Sequence, residues 1–303
     1  MSGEPKGLSY VVPCYNEEGA VRRSLERLSA VLGKTGLEHE IIVVNDGSRD
    51  NSAKIAAEVP GVRVISHPVN SGYGAAIKTG IRNARFAWIG IVDADGTYPI
   101  EELPRLIDGM EQGFDMVVAQ RQNVQDLDSP VKRLFRGIFI RVVSLLLGRK
   151  VRDPNSGFRV FRKDMATLFL PFLCHAFSFT TSITVFAFGQ GMFISYVPID
   201  YSARVGKSKV RHIRDSIRTA QLVLQGVMYF NPFKFALITA GLFLLFGAAP
   251  GAILGLLGYV TAGWFVFWSM AVVAALLLMG LLFDMLRIAI IQTNRPDDPM
   301  CFF

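Results

Sequence analysis

Trp88-Ile89-Gly90-Ile91-Val92-Asp93-Ala94-Asp95-Gly96-Thr97-Tyr98-Pro99 is an apolar run that stops at two carboxylates spaced i, i+2. Such a run suits a strand buried at the centre of a parallel sheet. The carboxyl ends of these strands border the crevice in which α/β proteins bind ligands. Gly96, Thr97 and Pro99 predict a bend, and a bend lets both carboxylates reach one hard cation. Oxygen ligands of this type suit Mg2+ or Mn2+, which would in turn hold a diphosphate. A strand followed by a plain acidic turn gives the same letters, so Asp-x-Asp alone does not decide.

Upstream, the same plan recurs. Leu8–Glu18 is a short apolar strand running into a polar turn, and from Glu17 a helical period places Val21, Leu25, Leu28 and Leu32 on one face. Glu40–Asp50 repeats strand and acidic turn, with Asp50 or Ser52 as the cap of the next helix. Val62–His67 reads as a third strand. Asn70-Ser71-Gly72-Tyr73-Gly74-Ala75-Ala76-Ile77-Lys78 opens a glycine-rich helix whose first amides could face phosphate. It lacks the G-x-G-x-x-G spacing of a dinucleotide site. Downstream, a helix is expected at about Ile100–Gly113 and a strand at Phe114–Gln120. Alternation of this kind argues an α/β fold with a mostly parallel sheet.

The carboxyl-terminal part is different. The chain has 303 residues, 51% of them hydrophobic, and from Phe235 to Phe283 it carries no Asp, Glu, Lys or Arg. A membrane span needs about 20 apolar residues, so this stretch predicts a two-helix hairpin, at about 235–257 and 264–286 with a tip at Gly258–Gly263. Pro250 should kink the first helix, because it removes a backbone donor. Lys234 precedes the hairpin and Arg287 and Arg295 follow it, while the tip is uncharged. The positive-inside rule then puts the amino-terminal domain and both termini in the cytoplasm, on a multi-pass protein of the cell (inner or plasma) membrane. Met1–Gly7 is polar and unlike a signal peptide. The formal net charge is +7, made of +8 ahead of the hairpin (30 basic and 22 acidic residues) and −1 after it, and it suits an anionic lipid surface and phosphate substrates better than nucleic acid. Cys14, Cys174 and Cys301 have no metal-ligand spacing and would be reduced thiols. His39, His67, His175 and His212 are scattered and are assigned to structure.

Pro13-Cys14-Tyr15-Asn16-Glu17, then Asp46-Gly47-Ser48, then Asp93-Ala94-Asp95, in this order, resemble the signature of family 2 glycosyltransferases with the GT-A fold. Asp153-Pro154-Asn155-Ser156-Gly157-Phe158-Arg159 and Arg204-Val205-Gly206-Lys207-Ser208-Lys209 are similar to the dolichol-phosphate mannose synthase and polyprenyl-phosphate glycosyltransferase branch. The resemblance covers roughly residues 8–230. It implies that Pro13, Tyr15, Glu17, Val44 and Asp46 line the nucleotide, with Asp46 accepting from a base N–H. Asp93, Ala94 and Asp95 would hold metal and diphosphate, and Asp153 would be an acid near the acceptor. Relatives often carry Gln two residues beyond the second Asp as a further metal ligand; here Thr97 stands there, a weaker ligand.

The acceptor side is expected to be basic and amphipathic. Pro130 to Leu147 reads as an interfacial helix presenting Lys132, Arg133 and Arg136 to phosphates, and Lys209–Tyr229 as a second basic helix leading into the hairpin. Arg121, Arg136, Arg204 and Lys209 are the candidate phosphate-positioning cations, with Ser156 beside them, and Lys207 is an alternative to Lys209 because of the shortened Arg-to-Lys spacing. These readings divide the chain into a catalytic domain (1–208, including the helix at 130–148), a juxtamembrane helix (209–231), the hairpin (232–290) and a tail (291–303). The expected activity is inverting transfer of a sugar from a nucleotide-diphosphate sugar, of the UDP-glucose or GDP-mannose type, to polyprenyl or dolichyl phosphate, with Mg2+ or Mn2+. The bilayer is the expected partner and nucleic acid is not; a homo-oligomer is left open. A processive polysaccharide synthase would carry Gln-x-x-Arg-Trp, which is absent. A non-catalytic nucleotide-sugar-binding scaffold would be favoured by loss of an acid, yet Asp93, Asp95 and Asp153 are all present.

Overall fold

The computed structural model describes residues 7–122, 130–174, 178–201, 221, 224–226, 228–258 and 262–294. Arg204, Lys207, Lys209 and most of the expected juxtamembrane helix lie outside these, as does the tail from 295 onward. The chain forms two compact units, Met1–Val223 and Leu224–Phe303.

The first unit is built on β1 (Leu8–Cys14), α1 (Val21–Leu32), β2 (His39–Asn45), α2 (Ser52–Ala57), β3 (Val62–Ser66), α3 (Tyr73–Asn83) and β4 (Trp88–Ile91). A 3-10 turn (Ile100–Glu102), α4 (Leu103–Glu111), β5 (Met116–Arg121), α5 (Pro130–Leu147), β6 (Arg159–Arg162), α6 (Lys163–Phe169), α7 (Phe179–Gly189) and β7 (Ile194–Ile199) follow. Seven strands make one sheet in the order β3-β2-β1-β4-β6-β5-β7. All pairs are parallel except those of β6, which runs antiparallel to both β4 and β5.

The period of two along β1 explains how the sheet is covered. Leu8, Tyr10, Val12 and Cys14 face one side and join Val21, Leu25, Leu28 and Leu32 of α1 and Leu103, Leu106, Ile107 and Met110 of α4 in one core. Val11 faces the other side, against α3, where Gly80 leaves room for its methyl groups. The helical face read from the sequence for α1 is thus the buried one, although the helix starts at Val21 and Glu17 stays in the preceding turn.

Two strands were not legible. β6 is only Arg159-Val160-Phe161-Arg162, bounded by charge at both ends. β7 contains Pro198, a residue tolerated here because β7 is an edge strand.

The second unit is a helical pair. Its first helix comprises α8 (Pro232–Phe243), a wide π-helical turn (Leu244–Ala248) and α9 (Ala249–Leu256); its second is α10 (Ala262–Asn294). Pro250 cannot donate to the carbonyl one turn back, and the wide turn just before it absorbs that break. Asn231 caps α8, its Oδ1 accepting from the Lys234 amide at 2.8 Å. A Cβ at Gly280 would lie 2.4 Å from that of Ala236, so a small residue there is what lets the helices approach. Pro232–Leu256 and Trp264–Arg287 are each long and apolar enough to cross a bilayer. At the charged end, Arg287 pairs with Asp284 at 3.0 Å and donates to the Phe230 carbonyl.

Candidate active site

Parallel pairing in register brings the carboxyl ends of β1, β2, β3 and β4 to one edge. Pro13 lies opposite Val44, Asn45 opposite Ser66, and Val11 opposite Ile91. Tyr15, Glu17, Asp46, His67 and Asp93 therefore leave the sheet side by side. Pro13 and Val44 are buried and can offer only wall and backbone, while Tyr15 and Glu17 are half-buried at the rim.

The loops after β1 and β2 are interlaced. Asn16 donates its amide to Ser48 Oγ and accepts from the Arg49 amide; Glu17 donates its amide to Ser52 Oγ; and Asp50 Oδ1 accepts from Ser52. This lattice holds Asn16 at φ 51°, a conformation that Asn tolerates better than most residues. The loops after β1 and β2 are thus tied to each other by the chain's own hydrogen bonds.

Asp46 carries a task that its sequence did not announce. Its carboxylate is buried and accepts from the Ser71 amide, the Gly72 amide and His67 Nδ1, each at 2.8 Å. Two of the amides ahead of α3, those of Ser71 and Gly72, are thus taken by the chain's own anion. His67, assigned in sequence to structure at large, is a direct part of this edge: its Nε2 meets Thr79 Oγ1 at 2.9 Å. No spacing could have found it, because its partners lie far away in the chain.

The aspartate pair follows β4. Asp93 is hydrogen-bonded to the Tyr73 hydroxyl, and burial first, then this aspartate, push the Tyr73 phenol well above its ordinary pKa. A Cβ on Gly157 would come within 2.7 Å of Asp93 Oδ2 and 2.9 Å of Oδ1, so only glycine leaves the carboxylate its place. The Ala94 carbonyl accepts from Ser24 Oγ at 3.1 Å. Asp95 Oδ1 accepts from the Thr97 amide at 3.1 Å and the Thr97 hydroxyl at 2.7 Å. Thr97 is 2% exposed and its hydroxyl is also bonded to Tyr201. The Thr97 hydroxyl donates to Asp95 and so orients that carboxylate. Among the described residues no cluster of three His, Cys, Asp or Glu could hold a metal alone. Two carboxylates kept apart from the glycine at 157 do fit a hard cation whose remaining ligands come from diphosphate and water.

Across the edge stand Arg121 and Asp153. The guanidinium makes a two-point contact with the carboxylate, Nε to Oδ2 at 2.8 Å and a terminal nitrogen to Oδ1 at 2.7 Å, and the Arg121 amide adds a third bond at 3.0 Å. Both side chains are about one-tenth exposed. Burial opposes the charge on Arg121, but its surroundings, Asp153 included, raise its pKa further above its already basic value. Asp153 holds φ 38°, so this geometry fixes its backbone as well.

Arg159 explains why the segment from Asp153 to Phe158 is so ordered. It is fully buried, and its guanidinium donates to the carbonyls of Pro154, Ser156 and Thr180 and to Thr184 Oγ1 at 2.5–3.1 Å. Burial lowers its pKa from the ordinary arginine value. Ser156, expected to meet the acceptor phosphate, is 0% exposed and its Oγ accepts from the Phe158 amide at 3.4 Å. Tyr98 completes the wall: its hydroxyl accepts from the Gly157 amide at 2.8 Å, and burial holds the phenol protonated. On α5, Arg133 is exposed and Arg136 half-buried, while the side chain of Lys132 lies outside the described residues.

Over 210 residues the chain is 33% identical to an undecaprenyl-phosphate 4-deoxy-4-formamido-L-arabinose transferase of Edwardsiella ictaluri, covering 67% of this chain and 62% of that protein's length. It is 30% identical to a dolichyl-phosphate beta-glucosyltransferase of Trichomonas vaginalis over 74% of this chain and 71% of the relative. Its fold is similar to that of glucosyl-3-phosphoglycerate synthase from Mycobacterium tuberculosis, solved with Mn2+, uridine-diphosphate-glucose and phosphoglyceric acid. That similarity has a TM-score of 0.60 at 19% identity, over 75% of this chain and 80% of the other. The mixed, mostly parallel sheet with flanking helices is thus the GT-A fold. The sequence pattern described as Glycosyl transferase family 2 matches residues 9–169, from the second residue of β1 to the last of α6. That stretch is more than half of the chain and holds every aspartate of the edge, and the protein belongs to glycosyl transferase family 2.

Proposed function

We propose that this protein transfers a sugar from a nucleotide-diphosphate sugar, of the UDP-glucose or GDP-mannose type, to polyprenyl or dolichyl phosphate, inverting the anomeric centre. The observation that carries the reading is the meeting of Asp93 and Asp95 with the Arg121–Asp153 pair at one sheet edge, in a chain that continues into two bilayer-length helices. Relatives named as undecaprenyl-phosphate and dolichyl-phosphate transferases support the acceptor class.

Asp93 and Asp95 would hold Mg2+ or Mn2+ together with the donor diphosphate. Such a cation stabilises charge on the departing diphosphate. Tyr15 and Glu17 at the rim, over the wall of Pro13 and Val44, shape the place for the nucleoside. Asp46 acts one step removed, by fixing the Ser71–Gly72 loop. The acceptor is a phosphomonoester with a second pKa of about 6, largely dianionic at neutral pH. It needs cations to position it more than a base to deprotonate it, and Arg121, Arg136, Arg204 and Lys209 (or Lys207) are assigned that role. Asp153 then orients Arg121 and does not take a proton. One phosphate oxygen forms the new bond to the anomeric carbon as the bond to the nucleoside diphosphate breaks. The two apolar helices keep the protein at the membrane, its sugar-transferring unit on the cytoplasmic face.

The test is to incubate purified full-length protein with UDP-, GDP- and dTDP-sugars, a short polyprenyl phosphate and Mg2+ or Mn2+. A polyprenyl monophosphate sugar is expected with one of these donors. Donor hydrolysis without any lipid-linked product would overturn the acceptor assignment.

A further inference from the structure

Tyr201 stands just beyond β7 and touches both halves of the site. Its hydroxyl is bonded to Thr97, whose own hydroxyl donates to Asp95 Oδ1 at 2.7 Å. A chain of two hydrogen bonds thus runs from the Tyr201 hydroxyl through Thr97 to the carboxylate of Asp95. Its ring does something else. The Arg121 guanidinium lies 5.2 Å from the ring centroid, and the Tyr98 ring meets it edge-on at 5.0 Å. Arg121 is the same residue that Asp153 grips at two points. Hydroxyl and ring therefore serve different partners.

We infer that Tyr201 is a positioning residue that sets both sides of the reaction, its hydroxyl orienting Asp95 through Thr97 and its ring holding Arg121 for the acceptor phosphate. The inference deepens the proposed function and rests on it. It also explains how a chain with Thr at position 97 keeps Asp95 in a fixed orientation: the short side chain is completed by a tyrosine from across the sheet. The two tasks are separable by chemistry. Tyr201→Phe deletes the hydroxyl and keeps the ring, whereas Tyr201→Leu deletes both.

The probe is Mn2+ followed by electron paramagnetic resonance on the full-length protein in the presence of UDP, GDP or dTDP, with steady-state kinetics beside it. Tyr201→Phe is expected to weaken Mn2+ binding about 3–10-fold, the scale of one lost hydrogen bond, and to leave the acceptor KM unchanged. Thr97→Val should reproduce that loss, and the double variant should lose no more than either single one. Tyr201→Leu should add a rise of about 3–10-fold in acceptor KM. The inference is overturned if Tyr201→Phe binds Mn2+ like the wild type, or if its losses and those of Thr97→Val simply add. It is also overturned if Tyr201→Leu leaves the acceptor KM where Tyr201→Phe does. If the wild type binds Mn2+ with none of the three nucleotides, the metal reading of Asp93 and Asp95 falls first, and this inference with it.

Discussion

At the scale of single residues, the site turns on how each carboxylate is used. Asp95→Asn should leave a folded protein whose turnover falls about 10²–10³-fold, because charge on the leaving diphosphate loses its counter-ion. Near-normal metal-dependent turnover in that variant would remove Asp95 from the metal site. Gly157→Ala tests the same place from the other side. Its methyl would overlap the Asp93 carboxylate, and a rate loss of about 10–100-fold is expected while circular dichroism stays that of the wild type. Asp153 differs, since it is committed to Arg121. Asp153→Asn should keep a measurable rate with an unshifted acid limb in its pH profile; a limb that vanishes would make Asp153 a base. The sequence exposed Asp93 and Asp95 because their neighbours, a strand before and a glycine after, are local, and Asp153 only through the resemblance of its segment to a known family. It did not expose His67, Tyr73, Tyr98 or Tyr201, whose partners lie in distant segments and which look like ordinary core residues.

At the scale of elements, the segment between Asp153 and β6 behaves as one unit pinned by Arg159. Arg159→Leu would fill the space but leave the carbonyls of Pro154, Ser156 and Thr180 without their donor. The expected loss is about 3–5 kcal/mol, the scale of breaking a buried charged group's contacts, read as a lower unfolding midpoint of the full-length protein. A midpoint equal to the wild type's would show that the loop is held by something else. The parallel strands and α1, α3 and α4 were legible in outline, because apolar runs and helical periods are properties of neighbouring residues. β6 and β7 were not. One is four residues that begin and end with arginine and the other contains proline, and both owe their pairing to the sheet already present rather than to their own composition.

At the scale of the molecule, the proposed function divides the labour between the two compact units, with chemistry assigned to the first and lipid access to the second. A chain ending near Asn231 should bind nucleotide sugar with the affinity of the whole protein and use lipid acceptor poorly, since the helices raise the local concentration of a lipid confined to the bilayer. Folded protein of that length without nucleotide affinity would show that the division is wrong. The hairpin was the most legible part of the chain, since absence of charge over such a length needs no tertiary context. Its wide turn at Leu244–Ala248 was visible only as Pro250. The antiparallel β6 has one more consequence. Arg121 closes β5 and Asp153 begins the return toward β6, so one ion pair clasps the two ends of everything between them, 32 positions apart in the chain. The insert, α5 included, leaves and re-enters the sheet at a single point, and its length costs little once that point is closed. A segment of different length between these two positions would therefore leave the sheet as it is, provided that the clasp were kept.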